Sequence, residues 1–179
     1  MQRQLRDLIK HSYQPTADDH PYIRSVAGSP GLTMVQDIIL WWRAFLLEQY
    51  CRLTARALKE RQCFEETVDA FTRARRLPPF VEDLGEEFLQ EMRHHPDNLL
   101  ASVAQFEYAL LCVKRGSEIS HVVSWDYEPY GILHCLTQGL PLATAQIPGR
   151  YQVVVSRHLP GYFQVRALPT AEARTEEER

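Results

Sequence analysis

Apolar residues recur at steps of three and four over residues 34–60, and this is the strongest periodic pattern in the chain. The spacing places these side chains on one face of a helix and predicts a helix about 40 Å long. Thr33 and Gln36 fit a capping box that would begin it. The predicted face consists of Val35, Ile38, Ile39, Trp42, Phe45, Leu46, Leu53 and Ala57. We expect this helix to be the spine of the fold.

Two adjacent tryptophans, Trp41 and Trp42, lie within the spine segment. Large aromatic side chains on an apolar helix are typical of a core, so we predict that both are core residues rather than a platform for a ligand. The width of the apolar stripe also indicates that part of it is an interface with another molecule.

Four further helices are predicted before Gly116. They cover residues 2–11, 64–76, 80–94 and 99–113. Asp97 is a suitable N-cap for the last of them, and Gly116 suits the position just beyond its end. Residues 13–31 hold three prolines and two glycines and are predicted to be an irregular connector.

The pattern changes after Gly116. β-branched and aromatic residues predict a strand over residues 121–126, and Pro129 and Gly139 suit the start and end of a short helix. Two apolar runs, 151–156 and 162–168, flank Pro160 and Gly161 and predict a β-hairpin. The fold class is therefore α+β, with an N-terminal helical bundle followed by a small three-stranded antiparallel sheet with one helix. We expect a helical domain over 1–116, a small α/β region over 117–168 and a disordered tail over 169–179.

The two strands of the predicted hairpin differ in character. Residues 151–156 carry apolar side chains on both faces, which is typical of a central strand. Residues 162–168 alternate between an apolar and a polar face and are predicted to form an edge. Sheet edges carry unpaired backbone groups that are either shielded or used, so the edge is either covered by the tail or by Arg166, or it takes an extended peptide as a further strand.

Strand alternation also assigns faces to the first predicted strand. Trp125 points inward with Val123, whereas Asp126 points outward with Ser124. Core is the leading interpretation for Trp125, with its ring close to the sheet margin. The candidate peptide-binding residues are Tyr162, Phe163, Gln164, Val165, Arg166, Trp125 and Asp126.

Composition and charge narrow the classes of function. The 179 residues are 45% hydrophobic with a formal net charge of −3, so the basic excess of a typical nucleic-acid binder is missing. The N-terminus lacks the apolar run of a signal peptide, and the most apolar window is interrupted by Arg43. Four widely spaced cysteines are expected to be reduced, buried thiols. We expect a cytoplasmic protein.

The sequence contains no recognised catalytic motif. The histidines lack a spacing that would put two metal ligands on one helical face, and no phosphate-binding glycine motif or nucleophile elbow occurs. Glu107 stands between Phe106 and Tyr108 in an apolar helix, where we expect it to pair with an arginine of a neighbouring helix. A Cys–His catalytic pair stays open, because such partners meet in space. We expect no metal, no cofactor and no catalysis by this chain alone.

The stretches RARRLPPFVEDLGEEFLQEM and PDNLLASVAQFEYAL, with VSWDYEP before the final hairpin, carry a resemblance to a known family. They resemble accessory proteins of the multinuclear non-heme iron-dependent oxidases, over residues 35–168. The chain has Gln105 where the commoner pattern of that family has arginine. Such proteins pair with a TIM-barrel iron oxidase that modifies cysteine in ribosomally made peptides, as in methanobactin-type and 3-thiaglutamate-type pathways.

The resemblance implies that the oxidase and this chain have separate roles. The partner oxidase would hold the iron, and this chain would bind the oxidase through its helices. The region 117–168 would recognise the leader or scaffold of the precursor peptide, and the 3-thiaglutamate pathway is the preferred assignment. Two alternatives are a DNA-binding transcriptional regulator with a winged-helix-like hairpin and a small-molecule enzyme with a Cys–His pair.

Overall fold

The computed structural model describes residues 1–9, 13–74 and 80–169. Within these ranges the helices are α1 (Gln2–Ile9), α2 (Pro21–Ala27), α3 (Pro30–Tyr50), α4 (Arg52–Glu60), α5 (Phe64–Ala74), α6 (Val81–Met92), α7 (Asn98–Lys114) and α8 (Pro129–Gln138). The strands are β1 (His121–Tyr127), β2 (Pro148–Val155) and β3 (Phe163–Ala167). The predicted α+β class, with helices first and a small antiparallel sheet with one helix after them, is confirmed. No helix in these ranges is both long and apolar enough to cross a bilayer.

The N-terminal region is more regular than predicted. The segment 13–31, expected to be irregular, contains α2 and the start of α3. Pro21 occupies the first turn of α2, where its missing N–H costs nothing, and the ring of His20 accepts a hydrogen bond from the Tyr22 amide at 3.2 Å. Pro21 and Pro30 therefore begin helices instead of interrupting them. Residues 10 and 11 of the predicted first helix lie outside the described ranges.

The predicted spine is two helices and not one. α3 ends at Tyr50 and α4 begins at Arg52, with Cys51 between them in a non-helical conformation (φ −104°, ψ 56°). The predicted capping box is also wrong, because Ser29 caps α3 through its hydroxyl and Pro30 occupies the first turn. The Gln36 side chain instead donates to the carbonyl of Leu8, at 2.8 Å, and ties α1 to α3.

The tryptophans of α3 are not core residues. Trp41 is 64% exposed and Trp42 is 51% exposed, so the predicted burial of both is wrong. α3 is apolar on nearly its whole circumference, and the neighbouring helices cover the side that carries Leu40, Ala44 and Leu47. The face of α3 that periodicity predicted to be core therefore lies on the outside of the fold.

The three helices that follow agree with their predicted positions. Residues 75 and 76, predicted to end α5, lie outside the described ranges. α6 buries Leu84, Phe88 and Met92 as expected, although Phe80 lies before its first turn and is exposed. Asp97 caps α7 by accepting from the amides of Leu99 and Leu100, and Gly116 follows with a left-handed φ of 97°.

The sheet has the order β1-β2-β3 and is antiparallel throughout. The predicted central strand is β2 and the predicted edge is β3, so both assignments are confirmed. Between β1 and β2, α8 begins after Glu128, whose carboxylate accepts from the amides of Tyr130 and Gly131, and it ends at Gly139 with φ 70°. The start and end predicted for this helix are confirmed.

One hydrophobic cluster connects the helices with the sheet. It contains Leu47 of α3 and residues of α4 to α8, together with Val123 and Trp125 of β1 and Val153 and Val155 of β2. α7 contacts both β1 and β2 and is the helix on which the inner face of the sheet packs. All four cysteines are free thiols. The predicted burial applies to Cys51 and Cys135, whereas Cys63 and Cys112 are only partly buried.

Candidate functional site

The outer edge of β3 is the first candidate for a binding site, because in the described ranges no strand lies beyond it. Two hydrogen bonds fix which backbone groups face this edge. The Ser156 amide donates to the Tyr162 carbonyl at 2.8 Å, and the Leu168 amide donates to the Arg150 carbonyl at 2.7 Å. Hydrogen bonding alternates along an antiparallel strand, so Gln164 and Arg166 also bond to β2.

The remaining residues of β3 therefore direct their backbone groups away from the sheet. The N–H and C=O groups of Phe163, Val165 and Ala167 point towards the open side of β3. A chain laid beside β3 would find donors and acceptors at every second residue. This geometry is that of a strand that can accept another strand.

The opposite edge of the sheet, along β1, is partly covered. The Ser102 hydroxyl of α7 donates to the carbonyl of Ser124 at 2.9 Å. The side-chain amide of Asn98 donates to the carboxylate of Asp126, also at 2.9 Å. α7 thus occupies a backbone acceptor and a side chain of β1, and the two edges of the sheet differ in accessibility.

Five of the predicted site residues lie along β3 and the turn before it. Tyr162 is 42% exposed and has a left-handed φ of 71°, which is uncommon for a residue with a side chain. Phe163 and Val165 face inward and are partly buried, and Phe163 contacts the ring of Phe106 at 5.2 Å. Gln164 and Arg166 are exposed on the outer face.

The two predicted site residues of β1 are placed differently. Trp125 is 1% exposed and stacks edge-on against Phe106 at 6.3 Å, so its ring belongs to the core and not to a surface that a peptide would touch. Asp126 is exposed but lies at the β1 edge, on the far side of the sheet from β3. The structure therefore brings Tyr162 to Arg166 together and leaves these two apart from them.

Glu107 has a different role from the predicted one. Its carboxylate accepts hydrogen bonds from the backbone amides of Leu53, at 2.9 Å, and Thr54, at 2.8 Å. These are amides of the first turn of α4, where the cap residue Cys51 provides no side-chain hydrogen bond. Within the described ranges no direct ion pair joins Glu107 to an arginine. Arg52 of α4 acts on it only through its charge, so the predicted pairing is replaced by hydrogen bonds to backbone amides. Glu107 is a helix cap supplied by another helix.

Burial dominates the ionisation of Glu107 and Cys51. Glu107 is 6% exposed, and removal from water raises the pKa of its carboxyl, against the opposing effect of the two amide hydrogen bonds. Burial also raises the pKa of the Cys51 thiol, with a smaller contribution from Glu107. A thiol held neutral in this way is a poor nucleophile. Sequence reasoning missed this cap, because the apolar periodicity predicted one continuous helix over residues 34–60 and therefore no helix start at Arg52.

The histidines do not converge on a metal site in the part of the chain that the structure describes, since no group of three or more potential ligands occurs there. His95 accepts a hydrogen bond from the Asp97 amide at 3.0 Å and so helps to shape the turn before α7. The arrangement supports a local structural role for this residue.

Comparison of the chain with models of protein families, with curated proteins and with solved structures gives no match.

Proposed function

We propose that this protein is a non-catalytic, cytoplasmic subunit that binds a ribosomally made precursor peptide at the β3 edge and presents it to an iron-dependent oxidase. The observation that carries the proposal is the difference between the two edges of the sheet. Backbone groups of Phe163, Val165 and Ala167 face outward from β3, whereas α7 covers part of β1. The oxidase, its iron and the modified cysteine are inferred only from the family resemblance of the sequence.

Positive charge on the outer face of the sheet should favour peptides that carry acidic side chains. Arg150 and Arg166 are both exposed there, and neither has an ion-pair partner within the described ranges. A peptide strand beside β3 would place alternate side chains on this face, next to Arg166. We therefore expect peptides with an acidic residue at that position to bind more tightly, by up to about 1 kcal/mol for an exposed pair.

Proline substitution tests the proposed edge, because proline removes one backbone donor. Val165→Pro and Ala167→Pro remove outward-facing donors and leave the β2–β3 hydrogen bonds in place. Val122→Pro is the matched control, since Val122 is 59% exposed and directs its amide outward from β1. Gln164→Pro would break a bond to β2 and serves only as a measure of sheet disruption.

The binding measurement uses fluorescence anisotropy with a labelled precursor peptide encoded beside the gene. We expect both β3 variants to weaken binding about tenfold and the Val122 variant to bind like the wild type. Weakening by Val122→Pro alone would move the site to β1. Unchanged binding in every variant would exclude strand addition.

A second experiment tests the role in catalysis. A candidate iron oxidase and a candidate precursor peptide, chosen from the genes next to this one, are produced with and without this chain, and the peptide mass is measured. We expect the modification only when the chain is present. Equal modification in its absence would refute the role of a presenting subunit, and salt-dependent binding to duplex DNA would favour the regulator instead.

A further inference from the structure

The outward side of α3 carries a continuous aromatic and aliphatic surface, which we call the α3 aromatic face. It consists of Met34, Val35, Ile38, Trp41, Trp42 and Phe45, each between 40% and 64% exposed. At 100° per residue these positions fall within about a third of the helix circumference. The three charged residues of α3, Asp37, Arg43 and Glu48, lie outside that sector.

The α3 aromatic face is as large as the largest apolar patches found on monomeric proteins, and such patches are often functional. Its three rings contact one another, with Phe45 5.9 Å from Trp41 and 5.6 Å from Trp42. The exposed fractions amount to on the order of 500 Å² of apolar surface, which is at the upper end for a monomer and more than half of one side of a standard interface. The four positions 34, 38, 41 and 45 span about 16 Å, or three helical turns.

A groove runs beside this face, between α3 and α5. It has a volume of about 360 Å³, and Trp41 and Phe45 form one wall while Phe64 and Val68 of α5 form the other. Leu40 and Ala44 also line the groove. A groove between two helices, next to a row of large apolar side chains, has the shape that receives an amphipathic helix.

The rim of the groove is acidic. Asp37, Glu48 and Glu65 lie along it, and Lys59 is the one cation among the described residues that line it. The Lys59 ammonium is already engaged, at 2.6 Å from Glu48 and 5.2 Å from the centre of the Phe64 ring. Asp37 and Glu65 have no ion-pair partner within the described ranges and are both exposed.

We propose that the α3 aromatic face and its groove bind an amphipathic helix of a partner protein, whose apolar side is flanked by lysine or arginine. Apolar side chains of that helix would cover Trp41 and Phe45, and its cations would face Asp37 and Glu65. A second copy of the chain fits less well, because antiparallel pairing of two α3 helices would bring their acidic flanks together. The inference is independent of peptide binding at β3.

Synthetic helices provide the test. Three peptides of about 18 residues are used, long enough for a helix to form on a surface. The first has leucines on one side and lysines on the flanks, the second replaces the lysines by glutamates, and the third has the composition of the first in scrambled order. Binding is followed by tryptophan emission, because Trp41 and Trp42 are exposed whereas Trp125 is buried.

We expect the lysine-flanked helix to shift the emission to shorter wavelength and to bind at least about tenfold more tightly than the other two peptides at about 0.1 M salt. Ile38→Ala should weaken this binding about tenfold, whereas the matched variant Ile119→Ala should not, although Ile119 is 68% exposed. Asp37→Asn together with Glu65→Gln should reduce the advantage of the lysine-flanked helix.

Three results would overturn the proposal. The first is equal binding of the scrambled peptide, which would indicate unspecific attraction to an acidic protein. The second is binding that Ile38→Ala leaves unchanged. The third is a dimer in sedimentation equilibrium that Trp41→Ala converts to a monomer, which would assign the face to a second copy of the chain.

Discussion

Removal of the Glu107 carboxylate should destabilise the protein through the first turn of α4. Glu107→Ala leaves the amides of Leu53 and Thr54 without their acceptor in a partly to fully buried place. Each unpaired buried donor costs about 1–3 kcal/mol, so we expect the free energy of unfolding to fall by about 3 kcal/mol. Glu107→Gln keeps one carbonyl acceptor and should lose about half as much.

The assay is urea unfolding at pH 7, followed by circular dichroism. Hydrogen exchange of the Leu53 and Thr54 amides adds a local measurement and should accelerate in both Glu107 variants. The control is Glu66→Gln, at an exposed carboxylate of α5, with an expected change within about 0.5 kcal/mol. A loss below about 1 kcal/mol for Glu107→Ala would refute the capping role, since an exposed ion pair accounts for that much.

The raised pKa of Glu107 adds a pH dependence with a defined sign. Its folded-state pKa lies above the unfolded value of about 4.3, so folding favours the neutral carboxyl. The contribution of Glu107 to stability is then largest below pH of about 4 and falls as the pH rises through the folded-state pKa. The free-energy difference between wild type and Glu107→Gln should therefore shrink with rising pH, and a widening difference would contradict the pKa direction.

Two further substitutions have effects that helix propensity or exposure alone would misjudge. Gly85→Ala should destabilise α6 by about 1–2 kcal/mol although alanine favours helices, because the added methyl carbon would lie 2.0 Å from the Tyr50 ring. Thermal unfolding measures this change. A raised unfolding midpoint would show that the Tyr50 ring moves aside. Gln62→Gly should stabilise the protein by about 0.5–1 kcal/mol, because Gln62 follows α4 with a left-handed φ of 57° that glycine adopts without strain. Urea unfolding measures the change. Gln90→Gly, inside α6, is the control and should be destabilised.

Local signals in the sequence were sufficient for the second half of the fold. Asp97 before α7, Gly116 after it, and Pro129 and Gly139 around α8 act on the nearest few residues, so no distant partner had to be known. The distinction between β2 and β3 also followed from the side chains of each strand. The strand with apolar side chains on both faces, β2, is the central strand of the sheet.

The first half needed tertiary information that a single sequence does not contain. α3 is apolar nearly all round, and only its packing against α5 and α6 decides that Leu47 is buried and Trp41 is not. The start of α3 was also predicted wrongly. The chain offers two possible N-caps there, and Ser29, followed by Pro30, caps the helix instead of Thr33. The cap of α4 comes from Glu107, more than fifty positions away in sequence, and no local pattern could identify it.

The alternation of backbone groups along β3 has a consequence for any peptide that would bind there. Only Phe163, Val165 and Ala167 face the open side, so a strand aligned there would be held through every second one of its own residues. The intervening residues would be free to become proline or to carry an N-methyl group. Peptides that bind this edge would therefore tolerate such changes with a period of two.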